Sequence, residues 1–338
     1  MPTTGPCSMK MRSMPRGILI TLAPFVGVIV LAAGVALAGY LMGPRLPAAS
    51  ADASSPGVTT SPASLGPSTA PTSSPSATSS PAATRPAGSN DAIEMLRVHN
   101  DLRAAIGAPA VRADDRVTAA AQHHAEYLAR AGAIGHDEVP GDSGFSGATV
   151  RDRLAAQGYP EAMASEVAAS SDSGTEDVRF LWDLPYHRLG LMHPHAVVAG
   201  WGHAEIGGHT ATVGVIVFDF AATAPDRVSS PASGQRVARS WAGQESPDAL
   251  PAGATRPVGY PLMVVYSGAR SVDLRVAELT DLDGHDVPIS VVPQIYERDY
   301  VAIVPVAPLS AGTKYRVRLA LTVAGIDTLE EWEFETEP

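Results

Sequence analysis

At 338 residues the chain has room for about two folded domains. Its net charge of −11 argues against a nucleic-acid partner, because such proteins concentrate Lys and Arg to meet phosphates. The single cysteine, Cys7, excludes an intramolecular disulfide, a Cys-rich zinc site and dithiol redox chemistry. With 45% hydrophobic residues there is material for a core, but 31 Gly and 29 Pro are many for one compact fold.

Residues 1–16 carry Lys10, Arg12 and Arg16 and are expected to form a cytoplasmic N-terminus. Residues 17–43 follow as a transmembrane signal anchor, of which 17–42 hold no charge at all. A membrane helix needs about 20 such residues. The positive charges precede the stretch, which places the N-terminus inside and the remainder outside the cell. A cleaved signal peptide is the alternative, with Ala36-Leu37-Ala38 or Ala49-Ser50-Ala51 as the small-residue site and a secreted product. The apolar stretch exceeds the ~7–15 residues of a usual signal core, which favours the anchor. Residues 44–90 are a linker: 40 of the 47 are Ala, Gly, Pro, Ser or Thr and none is aromatic. Such a segment cannot bury enough apolar surface to fold, and as a flexible coil it reaches about 40 Å.

Residues 91–338 hold the folding potential and carry 19 basic and 34 acidic residues. Ile93, Leu96, Val98 and Leu102 have helical spacing after a cap at Asn90 or Asp91, and Gly107 and Pro109 stop that helix. Further helices are expected over Asp115–Ala131, Thr149–Ala156 and Glu176–Trp182, the last broken by Pro185. Ala196–Trp201 and Thr210–Phe218 read as strands. Near residue 225 the pattern changes to short strands separated by turns: Tyr260–Tyr266, Val272–Leu279, Val287–Val292, Tyr300–Pro305, Tyr315–Val323 and Glu331–Thr336. Six strands in so short a span suggest a β-sandwich over 225–338.

The usual hydrolase, zincin, phosphate-loop and dinucleotide motifs are absent. The chemistry available lies in histidine: nine of the ten fall between His99 and His209. Imidazole is the commonest metal ligand, and two of them with a carboxylate leave an open position for water on zinc. His124 falls on the apolar stripe of its helix and reads as a core histidine. His193-Pro194-His195 reads as a loop, Arg188 as a structural donor, and Asp281 to Asp286 as a turn between strands.

One set of motifs in the stretch 91–220 has a recognisable order. It runs His99-Asn100-x-x-Arg103, Ala120-Ala121-Gln122-x-His124-Ala125, Gly135-His136, Arg153 before Gly158-Tyr159, and Glu166 in Ala164-Ser165-Glu166-Val167. It closes with Tyr186-His187-Arg188 and a glycine turn at Ala199-Gly200-Trp201-Gly202. This stretch resembles the CAP superfamily of cysteine-rich secretory, antigen 5 and pathogenesis-related proteins, in its bacterial extracellular branch. The resemblance implies an α+β fold: an α-β-α sandwich over 91–224, followed by the all-β region and preceded by the transmembrane helix. It also implies a cleft lined by two histidines and two acids. Carried over, these are His136, His187 and Glu166, with Glu176 as the second acid and Asp183 as its runner-up. The C-terminal segment resembles bacterial Ig-like modules through Pro308-Leu309-x-x-Gly312-Thr313-x-Tyr315 and Trp332-x-Phe334-x-Thr336.

These readings converge on a membrane-anchored protein of the cell envelope. Its cleft of His136, Glu166, Glu176 and His187 would bind a small or lipid-like ligand, a cell-wall component or a divalent metal. His136 and His187 are the metal candidates and Zn²⁺ the candidate ion. No catalytic residue is assigned. The competing reading is a metal-dependent hydrolase of cell-wall or extracellular polymers.

Overall fold

The computed structural model describes residues 88–268 and 271–338, which belong to one compact unit spanning 77–338. The apolar stretch 17–42 and the linker as far as residue 87 lie outside the described residues. Among those described, no helix is long and apolar enough to cross a membrane.

The first half runs α1 (Gly88–Ala105), α2 (Asp115–Ala131), α3 (Val150–Ala156), β1 (Met163–Ala169), α4 (Gly174–Asp183), α5 (Pro185–Met192), β2 (Ala196–Ile206) and β3 (His209–Phe218). The strands form an antiparallel sheet in the order β1-β3-β2. Side chains alternate across it, so Val213, Val215 and Val217 of β3 pack in one cluster with Val117, Ala121 and Leu128 of α2. Ile216 faces the other way, into a cluster with Met95 of α1, Leu181 of α4 and Leu191 of α5. The result is three layers, helix on sheet on helix.

Local chemistry sets the helix ends. The Asp114 side chain accepts from Arg116 N, and Gly132, at φ 65°, closes α2 in the left-handed conformation. Thr149 and Asp152 form a capping box on α3. Pro185 ends α4, as expected, and also opens α5, because its missing N–H is among those a helix start leaves unbonded anyway. Helix α1 begins at Gly88, so the expected linker ends three residues early and the cap is neither Asn90 nor Asp91. Strand β1 was not expected: Met-Ala-Ser-Glu-Val-Ala-Ala has no apolar alternation. The expected glycine turn at 199–202 is instead the middle of β2. A Cβ on Gly200 would stand 2.4 Å from Thr118 N, and one on Gly202 would stand 2.4 Å from Gln122 Cα. These glycines let α2 lie directly on the strand.

The second half runs β4 (Arg227–Ser230), β5 (Arg236–Val237), β6 (Leu262–Tyr266), β7 (Val272–Asp281), β8 (Ile289–Val291), β9 (Tyr300–Pro305), β10 (Lys314–Val323) and β11 (Ile326–Thr336). Two four-stranded sheets, β5-β11-β10-β7 and β4-β6-β9-β8, enclose an all-β core. Strands β4 and β5, of four and two residues, were too short to leave a pattern. The β10–β11 hairpin turns at Ala324 and Gly325, both at positive φ, so β11 starts five residues earlier than expected.

Strands β6 and β9 are buried along their whole length. Leu262, Val264, Val301 and Ile303 point into the sandwich. Met263, Val265, Tyr300, Ala302 and Val304 point the other way, into the same cluster as Leu181, Leu189 and Trp201 of the first half. The long segment between β5 and β6 adds Trp241, Ala249, Leu250 and Val258 to that cluster. The two halves therefore share a core across residue 225, where the pattern changes.

Candidate functional site

His136 stands in the connection after α2, on the rim of a buried polar cluster. Its Nδ1 donates to Glu166 Oε1 at 3.1 Å, while its side chain remains 54% exposed. Glu166 comes from the middle of β1, on the α2 face. Its other oxygen accepts from Arg153 Nη2 of α3 at 2.7 Å. Arg153 also donates to the carbonyls of His136 and Gly147, at 2.9 and 3.0 Å. Behind them His124 Nδ1 donates to Glu138 Oε1 at 2.9 Å, and its Nε2 lies 3.2 Å from Gly135 O and 3.5 Å from Glu166 Oε1. His124 is buried, as its place on the apolar stripe predicts, but its neighbours are carboxylates rather than a hydrocarbon core. Burial raises the Glu138 carboxyl, but hydrogen bonds from the Ser146 N–H, His124, the Ser146 hydroxyl and the Gly147 N–H outweigh it and hold the group below its ordinary range.

His187, in the first turn of α5, has a different partner. Its Nδ1 donates to Glu245 Oε2 at 2.9 Å. Glu245 is buried in the segment between β5 and β6, and both its oxygens also accept from Tyr186 N, at 3.2 and 3.1 Å. That amide is one of the unbonded donors at the start of α5, so the carboxylate caps the helix and orients the histidine together. Tyr186 Oη donates to Pro293 O at 3.0 Å, and burial, reinforced by the Glu245 charge, pushes its pKa up to about 12.

His136, Glu166 and His187 all line one cleft of about 610 Å³. Met163, Leu189, Phe218 and Phe220 give it an apolar wall, and Tyr296, Glu297, Arg298 and Asp299 form its far side. His193, just past α5, also lines it, with Nε2 donating to Asp299 Oδ2 at 3.2 Å. A second depression of about 570 Å³, among Arg275, Asp327 and Leu329, brings together none of the expected residues.

Glu176 is elsewhere. It lies in the first turn of α4 with its side chain 71% exposed, 3.9 Å from Arg179. It precedes His187 by eleven positions, but the two lie on different helices, α4 and α5, and Glu176 is not among the cleft lining. Asp183, at the end of α4, lies 3.9 Å from buried Arg188 and is also outside the cleft lining. The carboxylate beside His187 is Glu245, which the sequence reading missed: it lies 58 residues away in a loop with no motif. Glu138, also missed, sits only two residues after His136, and that proximity was the available signal.

The donor set does not fit a zinc site. Each histidine offers one ring nitrogen, since the other is held by a carboxylate. Among the described residues, the only three Asp, Glu, His or Cys side chains with ligand atoms within 4.8 Å of one another are Asp281, Asp283 and His285. Those occupy the expected turn, where Gly284 adopts φ 90° and His285 Nδ1 donates to Asp281 Oδ2 at 2.8 Å. His136, His187 and Glu166 therefore do not form a closed or catalytic three-ligand cage.

The remaining motif residues hold the fold. His99 Nε2 and Arg103 Nη1 both donate to Leu191 O, at 2.9 and 2.6 Å, and Arg103 also reaches His193 O. They satisfy carbonyls left open at the end of α5. Asn100 makes two bonds with the backbone of Val111. Arg188, fully buried, donates to the carbonyls of Trp182 and Pro261 and stacks 4.8 Å over Tyr260, linking α5 to the sandwich.

Residues 96–220 match the CAP family, the cysteine-rich secretory protein family. No curated protein matches the chain. Among solved structures, an outer surface protein from Borrelia burgdorferi is 17% identical, over 38% of this chain and 93% of that one, at TM-score 0.33. An extracellular protein containing an SCP domain from Bacillus anthracis is 16% identical, over 39% and 41%, at TM-score 0.33. CopC from Methylosinus trichosporium is 16% identical, over 32% and 89%, at TM-score 0.23. Residues 96–220 are a CAP domain.

Proposed function

We propose that this protein is a ligand-binding protein of the cell envelope, whose cleft takes a small amphipathic or lipid-like molecule. The carrying observation is the cleft itself. Its wall of Met163, Leu189, Phe218 and Phe220 is apolar, while its histidines are already paired with carboxylates. An apolar concavity with a few fixed polar groups is the usual form of a small-molecule site. Two imidazoles without a third ligand favour binding over metal-assisted hydrolysis. The apolar stretch 17–42 supports membrane anchoring with the folded region outside, the linker acting as a stalk. The sandwich reads as an Ig-like module, fused to the cleft rather than serving as a spacer.

Titration of a dansylated fatty acid into the 77–338 polypeptide tests this reading. Saturable binding that survives a chelator and falls about tenfold in Phe220→Asp is expected. Phe220 is half exposed and belongs to no buried apolar cluster, packing on His193, His195 and Phe218 at the cleft. A signal that never saturates, or one abolished by the chelator, overturns the proposal.

A further inference from the structure

Strand β1 is an edge strand. It pairs with β3 from Met163↔Phe218 to Ala169↔Thr212, and the sheet ends there. The opposite edge is covered: Arg112 N donates to Val197 O, and Ala199 N donates to Arg112 O, both at 3.0 Å. Among the described residues, the outer edge of β1 has no such cover. In an antiparallel edge strand, every second residue turns its N–H and C=O away from the partner.

The cleft follows that open edge. Residues 163–167 all line it, five in succession. Because alternate side chains lie on opposite faces, a cleft confined to one face would touch every second residue. This one wraps around the edge. Glu166 holds His136 on the α2 face. Ser165 is on the other face against α5, its Oγ only 2.6 Å from where a Cβ on Gly190 would stand, and α5 carries His187. The two histidines thus flank the strip from Met163 to Glu166, exposed at its start and half-buried beyond.

Resting on the reading that the cleft is a binding site, we infer that the edge of β1 takes an extended peptide as an added strand. Its alternate side chains fall towards His136 on one face and His187 on the other. Main-chain bonds give such recognition its affinity and the flanking pockets its selectivity. Charge selects the peptide. Glu297 and Asp299 line the cleft; Arg298 between them also lines it but pairs with Asp273 at 3.5 Å, and the region from residue 91 carries 34 acidic residues against 19 basic ones. The fitting peptide has apolar residues at alternate positions for the wall at Phe218 and Phe220, and at least one Lys or Arg.

The test screens the full-length protein against linear nonapeptides of that design and carries the tightest binder forward. It is resynthesised with one backbone amide N-methylated at a time, which leaves the protein unaltered. Binding is expected to weaken about tenfold at every second position and little between them. Amide hydrogen exchange should slow within residues 163–167. If no nonapeptide binds while the dansylated fatty acid still does, the edge inference falls and the cleft reading stands. If neither binds, both fall. N-methyl losses without a period of two, or protection confined to other strands, overturn the inference as well.

Discussion

His136 and His187 line the same cleft, and each gives its Nδ1 to a buried carboxylate, yet the two pairs are built differently. The His136 side is made within the CAP domain. Its acid, Glu166, is 30 residues away and is neutralised by Arg153, itself tied to two carbonyls of the preceding connection. The His187 side is made between the two halves of the compact unit. Among the described residues, its acid, Glu245, has no cation bonded to it and is held by a helix-start amide and the histidine alone. The comparison teaches that this CAP domain does not complete its own cleft. The segment following β5 supplies the group that orients one of its histidines, and Tyr296 to Asp299, just before β9, supply its far side.

The comparison breaks most readily at Arg153. Arg153→Met leaves the Glu138 and Glu166 carboxylates buried without their cation, and an expected loss of about 3–5 kcal/mol would show as a lower urea midpoint. A loss below about 1 kcal/mol would mean that water reaches the cluster. Glu245→Ala is expected to cost about 2 kcal/mol by the same measurement, since it strips partners from Tyr186 N and His187. It should also free the His187 ring, visible as averaged imidazole resonances by NMR, while the His136 ring keeps its own. Equal effects on both rings would show that the two sides are one unit.

Acid sharpens the contrast further. Burial, opposed by the bond to Leu191 O, pushes the His99 pKa down to about 3, so the folded protein keeps this ring neutral where the unfolded chain protonates near 6.5. Its stabilisation is complete above pH 6.5 and is lost as pH falls from there towards 3, by up to about 1.4 kcal/mol per unit. His99→Gln should flatten that slope in urea titrations at pH 7, 6 and 5. Glu138 acts lower. Its depressed pKa contributes stability above about pH 4.5 that disappears as pH falls through the folded value. Acid unfolding should therefore begin with the α1–α5 contact and reach the His136 side afterwards.

Much of the fold was legible because its signals are local. Helix α2 carries its own cap, apolar stripe and closing glycine, and it occupies the span expected from them. Strand β9 likewise runs over Tyr300–Pro305 as read. The unbroken apolar runs Leu262–Tyr266 and Tyr300–Pro305 also held a message that alternation alone would miss: a strand without a polar face is covered on both sides. One cover is the sandwich and the other the CAP domain. Strand β1 left no such trace, because small residues and a central Glu do not spell a strand until β3 pairs with it.

In the cleft the division is sharper. His136, Glu166 and His187 came from the resemblance to the CAP family, whose motif order carries over although His136 lies in a connection and Glu166 on a strand with no local signal. Glu176 was chosen by its nearness along the chain, and that criterion failed because Pro185 starts a new helix between it and His187. The sequence by itself determined four of the five helices of the first half and the all-β character of the C-terminal region, and the family resemblance pointed to His136, Glu166 and His187, which line one cleft. Only the tertiary structure decided the carboxylate beside His187, the covering of both faces of β6 and β9, and the open edge of β1. Each of these depends on which distant segments are brought together by burying a shared apolar surface. That burial is non-directional, so no short pattern in the chain encodes its partner.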